Sequence, residues 1–193
     1  GPNLALAVNG ATVCAAWEDT RDRFSIYGAC STDRGQTFAP GARWSTNGDD
    51  FLPQLAFAPD GRLYLAYKDV DKKDIIVRSS TDAGATWSAP RQATNMGANY
   101  TYSYDLAVGP DNQMVMPVAM GPFSSADSSD LNVITSIDGG QTFGLTGPTE
   151  KGSEQFLGIS TQTSVAAAGG GSAGDARVTI VWKDDRISSK SSI

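Results

Sequence analysis

Short runs of alternating apolar and polar residues, separated by turn residues, recur along the whole chain. The clearest unit reads LPQLAFA (52–58), PDG (59–61), RLYLAYKD (62–69), VDKKD (70–74) and IIVRSS (75–80). Such alternation predicts antiparallel strands, and the Pro, Asp and Gly residues between the runs predict tight turns. The same order of runs opens at LALAV, YDLAV and TQTSVAA. The pattern therefore predicts an all-β protein with negligible helix.

An eight-residue phrase follows the third strand of each of the first three units. It reads STDRGQTF at 31–38, STDAGATW at 80–87 and SIDGGQTF at 136–143, so its aspartates are 49 and 56 residues apart. A repeat of about fifty residues with four strands per unit predicts β-propeller blades, each a four-stranded antiparallel sheet. We predict three complete blades and a partial fourth, at about 1–48, 49–101, 102–157 and 158–193, within a ring of about six or seven blades.

The residues of this phrase, which we call the box, favour a structural hairpin turn over a catalytic site. Its glycine suits a backbone with positive φ, its aspartate can accept hydrogen bonds from the turn's own amides, and its aromatic residue can begin the next strand and pack on the neighbouring sheet. Three identical catalytic sites on successive blades would lie apart around a ring. The predicted structural positions are Ser31, Asp33, Gly35, Phe38, Ser80, Asp82, Gly84, Trp87, Ser136, Asp138, Gly140 and Phe143.

These three boxes resemble the Asp-box, or BNR repeat, of sialidases and sialidase-like β-propellers. The resemblance implies that the boxes are structural turns between third and fourth strands, away from the ligand-binding face. It also implies a sialic-acid site with three arginines, the first of them in an opening strand. The opening strands of this chain carry no such arginine, and Leu52 in Phe51-Leu52-Pro53 stands where it is expected. Arg21 is the one residue that distantly resembles the family's second arginine. The family resemblance therefore predicts a fold and not an activity.

Composition narrows the function further. The chain has 21 acidic and 15 basic residues, a net charge of −6 and no histidine. A nucleic-acid partner is disfavoured because phosphate binding needs basic patches. Zinc chemistry and a Ser-His-Asp triad are disfavoured without histidine, so no metal or cofactor is predicted; calcium at Asp69-Val70-Asp71 is an alternative, although no glycine-bearing calcium loop follows. The apolar runs are too short to predict a membrane span.

Candidate binding residues lie in the loops that join second to third strands and in the segments that join blades. Carboxylates, tyrosines and a few arginines suit the hydroxyls and ring faces of sugars. The alternative is that these charged loops simply face water. The candidates are Asp19, Arg21, Asp69, Asp71, Tyr100, Tyr102, Asp184 and Arg186.

The two cysteines are predicted to lie opposite each other. A hairpin centred near Asp22 pairs positions whose numbers sum to 44, which places Cys14 against Cys30 and Trp17 against Tyr27. Directly opposed residues in such a ladder are within disulfide reach. A disulfide would suit a secreted or cell-surface protein, and two buried thiols are the alternative.

Three functions remain open from the sequence. The first is a sialidase-like propeller module that binds glycan or protein outside the cell without sialidase activity of its own. The second is a glycoside hydrolase whose other catalytic residues lie on further blades. The third is a structural or adhesion segment of a larger surface protein. In each, we expect the ring to be completed by further sequence or by another chain, because open blade edges are a liability.

Overall fold

The computed structural model describes residues 3–46, 48–72, 74–94, 99–122, 130–150, 163–168 and 177–182. These residues form fifteen strands and one 3-10 turn, Thr20–Asp22. The strands are β1 Leu4–Asn9, β2 Thr12–Asp19, β3 Ser25–Ser31, β4 Ala42–Arg43, β5 Asp50–Phe57, β6 Leu63–Asp69, β7 Asp74–Ser80, β8 Arg91–Gln92, β9 Asn99–Tyr104, β10 Ala107–Val108, β11 Met114–Pro122, β12 Asp130–Ser136, β13 Gly144–Glu150, β14 Thr163–Ala168 and β15 Arg177–Trp182.

The strands form antiparallel sheets in chain order, which confirms the all-β prediction. Sheet 1 is β1-β2-β3-β4, sheet 2 is β5-β6-β7-β8 and sheet 3 is β10-β11-β12-β13. In sheet 3 the opening strand is divided, because β9 and β10 both pair with β11. The segment β14–β15 is a two-stranded sheet. Three four-stranded sheets in this order are a propeller-like blade arrangement.

The core lies between successive sheets. One buried cluster joins Cys14, Ile26 and Trp44 of sheet 1 to Leu65 and Tyr67 of sheet 2. A second cluster joins the other face of sheet 2 to the methionine-rich β11 of sheet 3. Alternate residues of β6 point to opposite faces, so a strand between two sheets is buried on both faces. Accordingly every residue of β6 is buried.

The three boxes form the same turn, and local hydrogen bonds hold it. In the second box, the Asp82 carboxylate accepts hydrogen bonds from the Ser80 hydroxyl at 2.8 Å, the Thr86 amide at 2.8 Å and the Thr86 hydroxyl at 2.5 Å. Asp33 and Asp138 accept the corresponding bonds in their boxes. These bonds lower the pKa of each of the three aspartates to about 2. The box glycines have φ of +81° or +82°, as a tight turn requires.

The box aromatics do not all behave as the sequence predicts. Trp87 packs on Trp44 of sheet 1, with ring centroids 5.0 Å apart, and Phe143 packs on the cluster between sheets 2 and 3. Phe38 is 46% exposed, so the prediction that it packs on a neighbouring sheet is wrong for the described residues. The reason is that each later box packs on the sheet before it, and the described chain has no sheet before sheet 1. All three aromatics, Phe38, Trp87 and Phe143, also precede the next strands, β4, β8 and β13, instead of beginning them.

Cys14 and Cys30 form a disulfide, which confirms the predicted register. Their Cα atoms are directly paired in the β2–β3 ladder and lie 4.1 Å apart, and Trp17 is likewise opposite Tyr27. Both cysteines are buried in the cluster between sheets 1 and 2. Among the described residues, no helix is long and apolar enough to cross a membrane.

Candidate functional site

The loops between second and third strands emerge at the end of the sheets opposite the box turns, which we call the loop end. In sheet 1 this loop begins at Asp19, the last residue of β2, which accepts a hydrogen bond from the Arg21 amide at 2.9 Å and caps the 3-10 turn. The Arg21 guanidinium also donates to both Asp19 oxygens, through Nε at 2.9 and 3.0 Å and through Nη2. These bonds lower the pKa of Asp19 to about 2.

Arg21 is thus a cation held in one orientation. Its side chain is 80% exposed while Asp19 is 7% exposed, and its guanidinium lies 5.9 Å from the Tyr27 ring centroid. A bidentate carboxylate contact restricts the guanidinium and uses part of its hydrogen-bonding capacity. The outer edge of Arg21 remains turned to solvent at the loop end.

The seam between sheets 1 and 2 carries unusual backbone geometry. Arg23, Phe24, Asp49 and Leu52 have φ between +48° and +63°, and they are four of the seven non-glycine residues with positive φ in the described chain. The other three lie in box or hairpin turns. Positive φ in a phenylalanine or a leucine is uncommon, and such strain persists only where surrounding contacts impose it.

Those contacts are hydrogen bonds between the β2–β3 loop and the start of β5. The Asp49 amide donates to the Arg23 carbonyl at 2.5 Å, and the Asp50 amide donates to the Phe24 carbonyl at 2.7 Å. Arg23 Nη2 donates to Asp49 Oδ2 at 3.0 Å. A Cβ on Gly48 would lie 2.9 Å from Arg23 Cβ, so only glycine allows this close approach.

Glu18 and Tyr104 extend the seam to either side. Glu18 Oε1 accepts hydrogen bonds from the side-chain amide of Asn3 at 2.7 Å and from the Leu52 amide at 2.8 Å. The Tyr104 hydroxyl of sheet 3 donates to the Leu52 carbonyl at 2.5 Å. Side chains of sheets 1 and 3 therefore hold Leu52 of sheet 2, the residue that stands where the family resemblance places an arginine.

A row of aspartates crosses the loop end of sheet 2. Asp50, Asp69 and Asp74 are paired across β5, β6 and β7, and each is at most 1% exposed. Asp69 accepts a hydrogen bond from the Lys72 amide at 2.9 Å and forms an ion pair with the Lys72 ammonium at 3.1 Å. Asp74 accepts hydrogen bonds from Thr94 and Gln92, and burial raises its pKa.

Asp50 is the exception in this row, because neither of its carboxylate oxygens makes a hydrogen bond of normal geometry. Burial raises its pKa to about 7; the nearby Ser45 hydroxyl opposes the shift and the charge of Asp69 adds to it. A buried carboxyl with a raised pKa stays protonated at mildly acidic pH and can then donate a proton.

Lys68 is a second buried ionisable group near this end of sheet 2. It lies on β6 opposite Phe51 and is 3% exposed. Burial lowers its pKa to about 8, because the charged ammonium is less well solvated there than in water.

The structure brings together only part of the predicted binding set. Asp19, Arg21, Asp69 and the exposed Asp71 lie at the loop end of sheets 1 and 2. Tyr100 and Tyr102 lie in β9, but their side chains are outside the described residues, as are Asp184 and Arg186 altogether. In the described parts of the chain, no group of three or more acidic or cysteine side chains is placed to hold a metal ion.

Sequence reasoning missed the aromatic pair at the seam. The Phe24 and Phe51 rings have centroids 5.0 Å apart and planes inclined by 31°. Phe24 is 41% exposed. The one available signal was that the apolar Phe24 directly follows the charged run TRDR, at a position where a loop usually has polar residues.

Solved structures share this fold. A Hadza microbial sialidase matches with a TM-score of 0.66 at 16% identity, over 96% of this chain and 42% of the sialidase. A protein of unknown function from Dyadobacter fermentans matches with a TM-score of 0.60 at 14% identity, over 92% of this chain and 61% of that protein. A leech intramolecular trans-sialidase matches with a TM-score of 0.52 at 16% identity, over 86% and 27% respectively.

No family model and no curated protein matches the chain. The chain spans less than two thirds of the length of each of these three structures. Sequence identity this low shows a shared fold and does not show a shared activity. The protein therefore has a sialidase-like β fold.

Proposed function

We propose that this chain is a sialidase-like propeller module that binds a neutral glycan at its loop end, in an extracellular setting, and has no sialidase activity of its own. The observation that supports this most directly is the seam between sheets 1 and 2, where oriented charged groups and the partly exposed Phe24–Phe51 pair meet on a strained backbone. Strained residues concentrate at functional sites, and mixed aromatic and polar surfaces suit sugars. A protein surface is the other ligand such a loop end could take.

The absence of sialidase activity is inferred from the arginines. A sialate carboxylate needs convergent guanidinium groups for its strongest charge-assisted contacts. The described opening strands of sheets 1, 2 and 3 carry no arginine, while Arg21 is tied to Asp19 and Arg23 to Asp49. The net charge of −6 adds repulsion towards anionic sugars.

The disulfide supports the proposed location. Disulfides form and persist in oxidising compartments, and Cys14–Cys30 would suit a secreted or surface-exposed protein. A structural or adhesion role within a larger surface protein is compatible with the same setting.

A glycoside hydrolase is the second candidate, and Asp50 is the observation that favours it. Glycosidases use a protonated carboxyl as the general acid, with a second carboxylate about 5–10 Å away. Asp50 has the raised pKa of such an acid and Asp69 is its cross-strand neighbour. Under this alternative, catalytic residues on further blades would complete the site.

We expect the chain to release no reporter from a fluorescent sialoside and to bind neutral glycans on an array. Asp19→Ala should weaken that binding roughly tenfold, because Arg21 loses the contact that orients it. Asp60→Ala, at the opposite end of sheet 2, is the matched control and should leave binding unchanged. Tyr102→Ala and Asp184→Ala test the candidates outside the described side chains. Sialoside turnover would contradict the inactivity, and binding untouched by Asp19→Ala, Tyr102→Ala and Asp184→Ala alike would contradict the site.

We also propose that the outer face of sheet 1 is covered by a further sheet, from additional sequence or another chain, to complete a ring. Leu4, Leu6 and Val8 on this face are 62%, 62% and 65% exposed. Leu6 pairs with Ala15 just as Leu55 pairs with Leu65 in sheet 2, yet Leu55 is 8% exposed because sheet 1 covers it. The uncovered face of sheet 1 thus corresponds to the face of sheet 2 that sheet 1 covers.

This face should make the isolated chain bind a hydrophobic dye and associate with itself, because exposed apolar patches of this kind favour association. Leu6→Lys should reduce dye fluorescence and association at little cost in stability, since Leu6 is already exposed. Leu55→Lys, at the equivalent position of sheet 2, should instead lower the unfolding temperature. Analytical ultracentrifugation, dye titration and thermal melting measure these effects. A wild-type chain that is monodisperse, monomeric and free of dye would argue against the covered face.

A further inference from the structure

The Phe24–Phe51 pair is an apolar feature of the seam that lies outside the buried core clusters. Phe24 is 41% exposed and Phe51 is half-buried, and their ring centroids are 5.0 Å apart. Neither Phe24 nor Phe51 belongs to the buried clusters on the two sides of sheet 2. The rings therefore contribute less to the core than aromatic side chains usually do.

Phe24 has an unfavourable backbone conformation. Phe24 has φ of +54° and follows Arg23 at +48°, while its carbonyl accepts the Asp50 amide hydrogen bond at 2.7 Å. A glycine at position 24 would relieve that strain, so folding alone gives no reason for an aromatic residue. The ring is explained if it has a ligand.

The groups beside the rings indicate what kind of ligand. Arg23 and Asp49 form an ion pair at 3.0 Å next to Phe24, with side chains 76% and 33% exposed. The pair offers hydrogen-bond donors and acceptors at the edge of the rings without adding net charge. The exposed part of an aromatic ring beside such groups matches a sugar ring, whose C–H face is apolar and whose rim carries hydroxyls.

We propose that Phe24 and Phe51 form a stacking platform for a neutral pyranose with an unsubstituted C–H face, and that Arg23 and Asp49 bind its hydroxyls. This inference rests on the proposed glycan-binding function and names the sugar class and the contact residues. An anionic sugar is disfavoured by the net charge of −6. A proline-rich peptide, which also stacks on aromatic rings, is the competing ligand.

Saturation-transfer difference NMR with lactose tests the platform. In the wild-type chain we expect the strongest transfer at the H1, H3 and H5 protons of one pyranose, which share a single ring face. Phe24→Ala should weaken lactose binding at least about tenfold. Phe24→Gly should do the same while keeping or raising the unfolding temperature, since glycine adopts positive φ freely. Phe38→Ala is the matched control, because Phe38 is 46% exposed but lies in a box turn; it should leave binding unchanged.

The outcomes separate this inference from the proposed function. Neutral-glycan binding that survives both Phe24 variants would overturn the platform and leave the glycan-binding function standing. A wild-type chain that binds no neutral glycan, on the array or by NMR, would overturn both. Binding of a proline-rich peptide in place of lactose would overturn the sugar assignment. The platform would be supported if Phe24→Gly loses lactose transfer while Phe38→Ala, at equal stability, keeps it.

Discussion

Replacing Gly84 with alanine is expected to lower the free energy of unfolding by about 4 kcal/mol. Gly84 has φ of +82°, which costs an L-residue about 1–2 kcal/mol. In addition, a Cβ at this position would lie 2.6 Å from Cζ2 of Trp44, whose ring is buried between sheets 1 and 2. Overpacking a core in this way costs about 1–3 kcal/mol more. Urea unfolding followed by circular dichroism measures the loss.

Gly35→Ala is the matched control for this prediction. Gly35 is the same residue of the first box and has the same φ of +82°, but a Cβ there would meet no atom within 4 Å. Its substitution should therefore carry only the backbone cost of about 1–2 kcal/mol. Equal losses for the two variants would show that the box glycines are needed for turn geometry alone and that the contact with Trp44 adds nothing.

Replacing Asp50 with asparagine should stabilise the protein by up to about 4 kcal/mol near pH 7. Burial raises the pKa of Asp50 from 3.8 to about 7, and each unit of such a difference between folded and unfolded states is worth about 1.4 kcal/mol. Below the unfolded pKa both states are protonated, so the carboxyl carries no penalty. As the pH rises from about 4 to 7 the unfolded state loses its proton first, and the folded state becomes less stable relative to it.

The stabilisation by Asp50→Asn should depend on pH. The advantage of Asp50→Asn should be smaller at about pH 5, about 2 kcal/mol, and grow towards pH 7. The box aspartates, with pKa values of about 2, are ionised in both states across this window and contribute no slope. Asp82→Asn therefore serves as a control whose effect should not change over the same window. An Asp50→Asn difference that is flat over this range would mean that Asp50 is ionised in the folded protein.

Local sequence was enough to predict the features whose contacts lie within one hairpin. Asp82 reaches the Thr86 amide only four residues away, so the composition of the box specifies the turn without help from other sheets. The Cys14–Cys30 disulfide follows in the same way from a short β2–β3 loop, because the loop sets the register of the ladder. Strand alternation and the repeat of about fifty residues predicted the sheets.

The site was harder to predict because its properties come from contacts between sheets. Asp50 reads as one more charged loop residue, yet it is fully buried where β5 meets β6, without a hydrogen bond of normal geometry to its carboxylate. Phe24 reads as the first residue of a strand, but hydrogen bonds from the start of β5 hold it in a left-handed conformation. The apolar Phe24 after the charged run TRDR was the one local signal, and it does not specify the environment of the ring. The groups that create the two environments are more than about twenty residues away in one case and on a neighbouring strand in the other.

The box aromatics separate what the local sequence determines from what the tertiary structure determines. The sequence by itself determined that each box is a turn with an aromatic residue at its end, because that depends on φ preferences and hydrogen bonds within the box. Only the tertiary structure decided that Trp87 and Phe143 pack against a preceding sheet while Phe38 stays 46% exposed. Burial is a property of the surroundings, and closely similar local sequences acquire different burial when one of them lacks a neighbouring sheet.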